Sequence, residues 1–436
     1  KNPNVKLLET KQYLLYQIGT EAFMQSNMTK AIDYFTMSLV SSKTGKYSAE
    51  CLYWRSESYF RSGKTDQSIY DLVSFFNNAN ASKSENYDVA HYALGYGYFS
   101  KKNYSEALNW YLKYVDAEQN TKAATYPDAL NRIGDCYFVA RNFAKADQYY
   151  SKSAAANPAT AGYALFQAAY VTGLQKNYSG KIAKLESLLS KYPNSEYTDD
   201  ALYEMGRAYL MMDNDGKAIS SYQRLLDTKS QSDLARKAAY EIGMIHYNNK
   251  EYDQAITAFK VVIMRYPGTD EAYTALESLE NVYVDINDIS SYLAYTKTLG
   301  RSISNKTAAR EDSISYTAAE RQYINGNYPQ AISGLKVYLE KFSKGGRYST
   351  TAQYYLADSY YHSGDKVNAL TAYQSLLKIS GNQYTEEAVL RCSEITYDQK
   401  DYNSALQYFK QLQTVAQSVE NKNAAQLGIL RCSYFL

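Results

Sequence analysis

The chain has 436 residues, with 47 Lys and Arg against 45 Asp and Glu for a formal charge of +2. A balance this even, with no basic tract, offers nothing to track a phosphate backbone and excludes nucleic acid as the expected partner. No apolar run approaches the ~20 residues that cross a bilayer, so no transmembrane segment is expected.

The opening residues, "KNPNVKLLETKQ", lack the apolar core of a signal peptide. A start at Lys leaves room for a leader already removed. From about Lys11 onward the chain repeats itself, and internal periodicity takes precedence over every other signal. One position recurs at 31, 68, 107, 146, 181, 218, 255, 292, 331, 369 and 405. Eight of these eleven are Ala and Ser68 is nearly as small. The frame around it reads Gly95, Tyr98, Ala107, Tyr111, then Gly134, Tyr137, Ala146, Tyr150. It returns as Gly206, Tyr209, Ala218, Tyr222 and as Gly243, His246, Ala255, Phe259.

Each unit reads as two helices, because apolar and small residues recur at i, i+3, i+4 and i+7 in both halves. The halves are parted by turn residues: "RSGKT" at 61, "KKNYS" at 101, "INGNYP" at 324 and "HSGDK" at 362. Pro329 falls in the first turn of a second helix, where a missing N–H costs nothing. Pro158, Pro193 and Pro267 follow second helices, and Pro127 opens a first one. Gly206 and Ala218 are expected where two antiparallel helices cross closely, with Tyr209 and Tyr222 filling the spaces beside the crossing. One helix pair cannot bury both its faces, so stability must come from stacked neighbours.

The eighth unit departs from the frame. In "ALESLENVYVDINDISSYLAYTKTLG" (275–300) the small positions become Glu280 and Tyr292, and Thr296 replaces the aromatic. The polar "GRSISNKTAARED" follows without a cap. This unit is either a bend or a divergent repeat of ordinary geometry. The last residues, "AAQLGILRCSYFL", stop inside a helical pattern and read as part of a longer chain. Residues 11–268 thus hold repeats one to seven, 269–312 a degenerate eighth and candidate bend, and 313–436 repeats nine to eleven with the first helix of a twelfth.

Residues that carry chemistry are scattered. Cys51, Cys136, Cys392 and Cys432 form no CxxC pair and read as free, buried, small apolar side chains. His91, His246 and His362 fall in three separate repeats, so no metal site is expected. "DNDGK" at 213–217 lacks the Glu that closes a calcium loop, with Arg224 in its place, and is a turn. Without a Ser–His–Asp set, phosphate loop or HExxH, neither an enzyme nor a cofactor is expected.

A small residue at the eighth place, Tyr at the eleventh, Ala at the twentieth, an aromatic at the twenty-fourth and Pro near the thirty-second resemble the tetratricopeptide repeat family. The resemblance covers essentially the whole chain, although the period averages about 37 residues against the family's 34. It implies an all-α, right-handed superhelical solenoid of about eleven antiparallel helix pairs plus a partial twelfth. The linkers in "KYPNSEYTDDALYEMGRAYL" (191–210) and "RYPGTDEAY" (265–273) are similar to those of Gram-negative envelope proteins. Examples are the lipoprotein subunit of the outer-membrane protein assembly machinery and the periplasmic coordinator of the Tol system. That likeness implies a periplasmic or outer-membrane-associated protein; a cytoplasmic one is the alternative.

In this family the first helices line a concave groove through their second, fifth, ninth, twelfth and thirteenth positions. The fifth position here holds Tyr16, Tyr53, Tyr92, Phe166, Tyr203, Tyr240, Tyr316 and Tyr354. The twelfth holds Phe23, Phe60, Phe99, Phe138, Tyr247, Tyr323, Tyr361 and Tyr397, and Tyr96 and Tyr170 add rings at the ninth. Part of the address of 49 tyrosines against 13 phenylalanines is therefore this wall. The rings either recognise a ligand or seal one repeat against the next. Arrays that clamp chaperone C-termini carry Lys at the fifth and Asn at the ninth position. Glu57, Asp135, Glu320, Asp358 and Glu394 occupy the ninth here, so the ligand is expected to be neutral or mildly basic. The resemblance thus implies a non-catalytic scaffold for extended polypeptide segments, in cell-envelope assembly. A binder of carbohydrate or peptidoglycan on stacked rings, and a cytoplasmic assembly adaptor, are the other two readings.

Overall fold

A computed structural model describes residues 3–117, 121, 123–158, 161–342 and 345–436. Among them are twenty-four α-helices, one short 3-10 turn and no strand. The protein is an all-α solenoid of helix pairs packed in chain order. It divides into two compact units, Lys1–Ala238 and Ala239–Leu436, with the boundary in the chain falling inside the residues of the helix Asp233–Asn248.

The first unit begins with the pairs Pro3–Met24/Met28–Ser41, Ser48–Arg61/Thr65–Phe76 and Tyr87–Ser100/Tyr104–Ala117. It continues through Thr125–Val139/Phe143–Ala156, Ala161–Leu174/Tyr178–Lys191 and Thr198–Leu210/Asp215–Thr228. In the second unit Tyr252–Arg265 is followed by Asp270–Asp285/Ile289–Thr298 and a single helix, Arg301–Ala309. Glu311–Ile324/Tyr328–Phe342, Ser349–His362/Lys366–Leu377, Thr385–Asp398/Tyr402–Val415 and the unpaired Val419–Phe435 complete it.

The turn inside each pair has one recipe. The first helix ends on a residue with left-handed backbone: Gly63, Gly326 and Gly364, but also Lys102, Lys176, Lys250 and Lys400. The next amide closes back onto the helix, as in Lys64 N–H to the Tyr59 carbonyl at 2.9 Å and Asn103 N–H to Tyr98 at 2.9 Å. In most pairs an Asn or Asp then caps the second helix, whereas Lys64 and Glu251 stand there without a side-chain cap. Asn27, Asn142, Asn214 and Asp401 each accept from the amide three residues on.

The core depends on a pairing between the eighth and twenty-fourth positions. A Cβ added at Gly95 or Gly134 would come within 2.9 or 2.6 Å of the Tyr111 or Tyr150 ring. At Gly206 it would come closer still to Tyr222. Where the eighth position is Ser56, Ala169 or Ala319, the twenty-fourth is the smaller Leu72, Leu185 or Leu335, whereas Ala357 and Ser393 stand with the large Tyr373 and Phe409. Tyr222 therefore fills the crossing itself and is fully buried. Tyr209, expected to match it on the other side, is only half-buried, with the Lys217 ammonium 5.5 Å above its ring.

Two units solve the crossing differently. Lys181 occupies a small position, and Gly173 makes room, since a Cβ there would lie 2.7 Å from the lysine chain. Its ammonium pairs with buried Glu204 of the next repeat, which also takes Arg207 at 2.8 Å. In the eighth unit the Tyr292 ring is buried and its hydroxyl donates to Glu280 at 3.1 Å. Arg310 donates to the other oxygen of Glu280 at 2.8 Å. The stretch read as polar and uncapped is thus a nine-residue helix, Arg301–Ala309, entered through Gly300 at φ 104°. The helix starts at a glycine turn without a side-chain cap, and Arg310 just after it is tied to Glu280 by an ion pair that no local pattern announces.

Candidate functional site: the aromatic face of the first helices

The fifth-position rings lie beside residues that the repeat frame had left unassigned. Tyr47, Tyr197, Tyr348 and Tyr384 each stand immediately before a first helix. Each lies roughly flat against the fifth-position ring of the preceding repeat. Tyr47 meets Tyr16 at 5.7 Å and 18°, and Tyr197 meets Phe166 at 5.6 Å and 18°. Tyr348 meets Tyr316 at 4.4 Å and 7°, and Tyr384 meets Tyr354 at 4.2 Å and 3°. The following residue is always Ser or Thr, whose hydroxyl donates to the carbonyl three residues back. Ser48 to Gly45 and Thr198 to Ser195 span 2.7 Å, Ser349 to Gly346 2.9 Å and Thr385 to Asn382 2.8 Å. The Tyr-[Ser/Thr] pair in the linkers was the sequence signal for this contact.

These contacts divide the predicted site. Tyr316 is buried, and Tyr16, Phe166 and Tyr354 are half-buried under their linker rings. Tyr323 also stacks, on Tyr355 at 4.2 Å, and its hydroxyl donates to Asp358 at 2.8 Å. Asp358 is buried and takes Tyr373 as well, at 2.9 Å. Tyr316 donates to Glu320 at 2.7 Å, Tyr247 to Asp285 at 2.6 Å, and Tyr240 shares a hydrogen with Ser278 at 3.1 Å. Burial first, then Asp285, pushes the Tyr247 hydroxyl up to about 12. Tyr203 leans on Tyr222, Tyr170 on Phe166, and Tyr361 lies under the Lys366 and Arg391 cations. Most of the acidic ninth positions are thereby occupied within the protein.

Before the third and fourth repeats the linker tyrosine is missing and the face opens; it is also missing before the seventh and eighth, where Leu234 and Glu271 stand. Asn86 and Thr125 take its place before the third and fourth repeats. There a depression of about 420 Å³ is lined by Tyr53, Glu57, Phe60, Tyr92 and Tyr96 among others. Phe99 stands close by, against Tyr104 and under the Arg132 guanidinium at 5.4 Å. The fourth repeat carries Asn131 instead of a fifth-position ring. Beside it a cavity of about 770 Å³ is bounded by Asp128, Asn131 and Arg132, by Gly162 and Tyr163, and by the linker 191–197.

Between the two openings runs a polar chain. Tyr92 donates to Asp128 at 2.8 Å; Arg132 bridges Asp128 at 3.3 Å and Asp135 at 2.8 Å; Tyr150 and Tyr163 both donate to Asp135, at 2.8 and 2.6 Å. Burial alone would lower the Arg132 guanidinium, but Asp128 and Asp135 outweigh it and hold the charge above its usual range. Asn131 is 7% exposed, and among the described residues its Oδ1 has no hydrogen-bond partner. A third opening, about 420 Å³, lies in the second unit along Tyr361, Leu390, Glu394 and Tyr397 beside the last helix. Such volumes fall within the ordinary range of ligand sites. Among the described residues no helix is long and apolar enough to cross a membrane.

Tetratricopeptide repeat family models match residues 163–195 and 351–380, and a second one matches 182–269. Together they span less than half of the chain and support the tetratricopeptide reading. Among curated proteins none matches. Solved structures that resemble it include the C-terminal part of a repeat-containing protein from Cytophaga hutchinsonii. That match has 21% identity and a TM-score of 0.49, over 60% of this chain and 99% of that one. A tetratricopeptide repeat protein from Parabacteroides merdae has 16% identity and a TM-score of 0.39, over 63% and 99%. YrrB, described as having an unusual peptide-binding site, has 17% identity and a TM-score of 0.38, over 47% and 96%.

Proposed function

We propose that this chain is a non-catalytic scaffold that binds an extended polypeptide segment on the first-helix face of its second to fourth repeats. Tetratricopeptide-repeat proteins are generally protein-interaction scaffolds, and the family models match repeats in both compact units. The observation that carries the reading is the uneven cover of the rings. Linker tyrosines lie on Tyr16, Phe166, Tyr316 and Tyr354, whereas Tyr92, Tyr96 and Phe60 line an open depression. Rigid rings facing solvent supply contact area at small entropy cost.

Selection of a displayed random dodecapeptide library on the purified chain tests this. Tyr96→Ala should keep the fold and weaken the selected peptides by ~2 kcal/mol, the size of a hot-spot truncation. Recovery of no peptide, or equal binding by the variant, would sink the proposal.

A second reading, recognition of carbohydrate, draws support from the Asn131 cavity, where an amide oxygen unpartnered among the described residues stands near Asp128, Arg132 and Tyr163. Saturable binding of a peptidoglycan fragment, lost in Asn131→Leu, would favour it. We further propose a cell-envelope location and assembly role, on the Tyr-Pro linkers alone. Fractionation of the expressing organism decides that, with recovery in the cytoplasm as the contrary result.

A further inference from the structure

Between the second and third repeats four rings surround one carboxylate. Tyr53, Glu57 and Phe60 lie on one face of Ser48–Arg61, spaced four and three residues apart. Tyr92 and Tyr96 project from Tyr87–Ser100 across the same depression of about 420 Å³. The walls do not stack flat. Phe60 and Tyr96 have centroids 5.5 Å apart with planes at 85°, and Tyr92 and Tyr96 6.1 Å apart at 46°. Rings set at such angles enclose a point instead of a slot, which suits a compact cation better than a planar guanidinium.

Glu57 is unlike the other acids of this face. Asp128, Asp135, Glu320 and Asp358 each accept a tyrosine hydroxyl. Among the described residues Glu57 accepts no hydrogen bond and makes no ion pair. Arg61, one turn on, places its guanidinium 4.4 Å over the Phe23 ring. Burial lifts the Glu57 carboxyl above its usual range, and Arg61 pulls it only part of the way back. Glu57 is half-buried, and a partly desolvated carboxylate with no donor gains from an arriving cation.

We propose that the pocket between Tyr53, Glu57, Phe60, Tyr92 and Tyr96 receives a compact organic cation, the ammonium group of a lysine side chain on the bound segment. The inference rests on the peptide-binding reading above and names the residue type that the segment must carry. The ring faces attract the charge, and Glu57 supplies its counter-ion and hydrogen-bond acceptor. Free quaternary amines share this chemistry, so they belong in the test.

Two measurements on the whole chain decide it. In ligand-observed NMR, N-acetyl-lysine methylamide should bind saturably, and its uncharged analogue N-acetyl-norleucine methylamide roughly tenfold more weakly. Glu57→Gln, which keeps shape and removes charge, should erase that preference, and Tyr96→Leu should weaken the lysine probe alone. Equal binding of the two probes, or binding unchanged in Glu57→Gln, overturns the proposal. Tetramethylammonium binding without the lysine probe also overturns it, in favour of a free quaternary amine. In library selection the wild type should enrich lysine-containing peptides, and Glu57→Gln should enrich peptides without that bias. Peptides recovered with no lysine bias defeat the pocket assignment and leave the peptide-binding face standing. Recovery of none at all defeats both.

Discussion

The rings of Tyr354 and Tyr384 lie face to face, 4.2 Å apart and 3° from parallel. One comes from the first helix of a repeat and the other from the linker that enters the next. The stack therefore joins two repeats and lies over a ring that the repeat frame assigns to ligand binding. Tyr384→Ala should destabilise the array by ~1–2 kcal/mol, part of it the aromatic pair itself. In denaturant melts, a double-mutant cycle with Tyr354→Ala should show coupling of ~1 kcal/mol. Additive losses would mean that the two rings act independently.

The glycine at the eighth position has a counterpart that can be exchanged with it. Gly206→Ala should cost ~1–3 kcal/mol, because the added carbon meets the fully buried Tyr222 ring. The double variant Gly206→Ala/Tyr222→Leu, built on the Ala169 and Leu185 pattern, should recover at least half of that loss. A double variant no more stable than the single one contradicts the pairing.

Lysine is an unusual residue for the left-handed turn. Lys250 has φ 60°, where Gly63, Gly326 and Gly364 stand in other repeats. A side chain pays about 1 kcal/mol or more for that conformation, partly offset by the freedom that glycine has when unfolded. Lys250→Gly should raise the melting midpoint, with a gain of ~0.5–1 kcal/mol. A lower midpoint would show that the lysine makes a stabilising contact beyond the turn.

In the eighth repeat, Glu280→Ala should cost ~1–3 kcal/mol, since it leaves the buried Tyr292 hydroxyl without its acceptor. Arg310→Ala should cost less than 1 kcal/mol, because its side chain is 60% exposed. We also propose that this repeat is where the array yields first. Limited proteolysis should cut between Gly300 and Glu311 before the flanking linkers, and sooner in Glu280→Ala. Equal resistance at all of them removes the proposal.

All four cysteines are free and buried. Burial pushes the Cys51, Cys136 and Cys392 thiols up to about 12, so thiolate is scarce at neutral pH. The native protein should resist iodoacetamide at pH 8, and the denatured, unreduced protein should titrate four thiols. Rapid labelling of the native chain would show that a repeat opens.

Helix pairs, their order and the turns between them were legible in the sequence, because a period near 37 residues and Gly, Asn and Asp at fixed offsets report local geometry. The Gly–Tyr pairing was also written there, sixteen residues apart on adjoining helices. The eighth repeat was legible only as an exception. Its repair by Tyr292, Glu280 and Arg310 joins residues thirty positions apart, and no period announces such a contact. The site was harder. Repeat positions place Tyr92 and Tyr354 on equivalent faces, and by sequence position the two rings are interchangeable. Tertiary structure separates them, because Tyr384 covers Tyr354, whereas Thr125 stands where a ring would have to lie beside Tyr92. Whether a ring seals or recognises depends on what the next repeat brings against it. That is a property of stacked neighbours, which no single repeat contains.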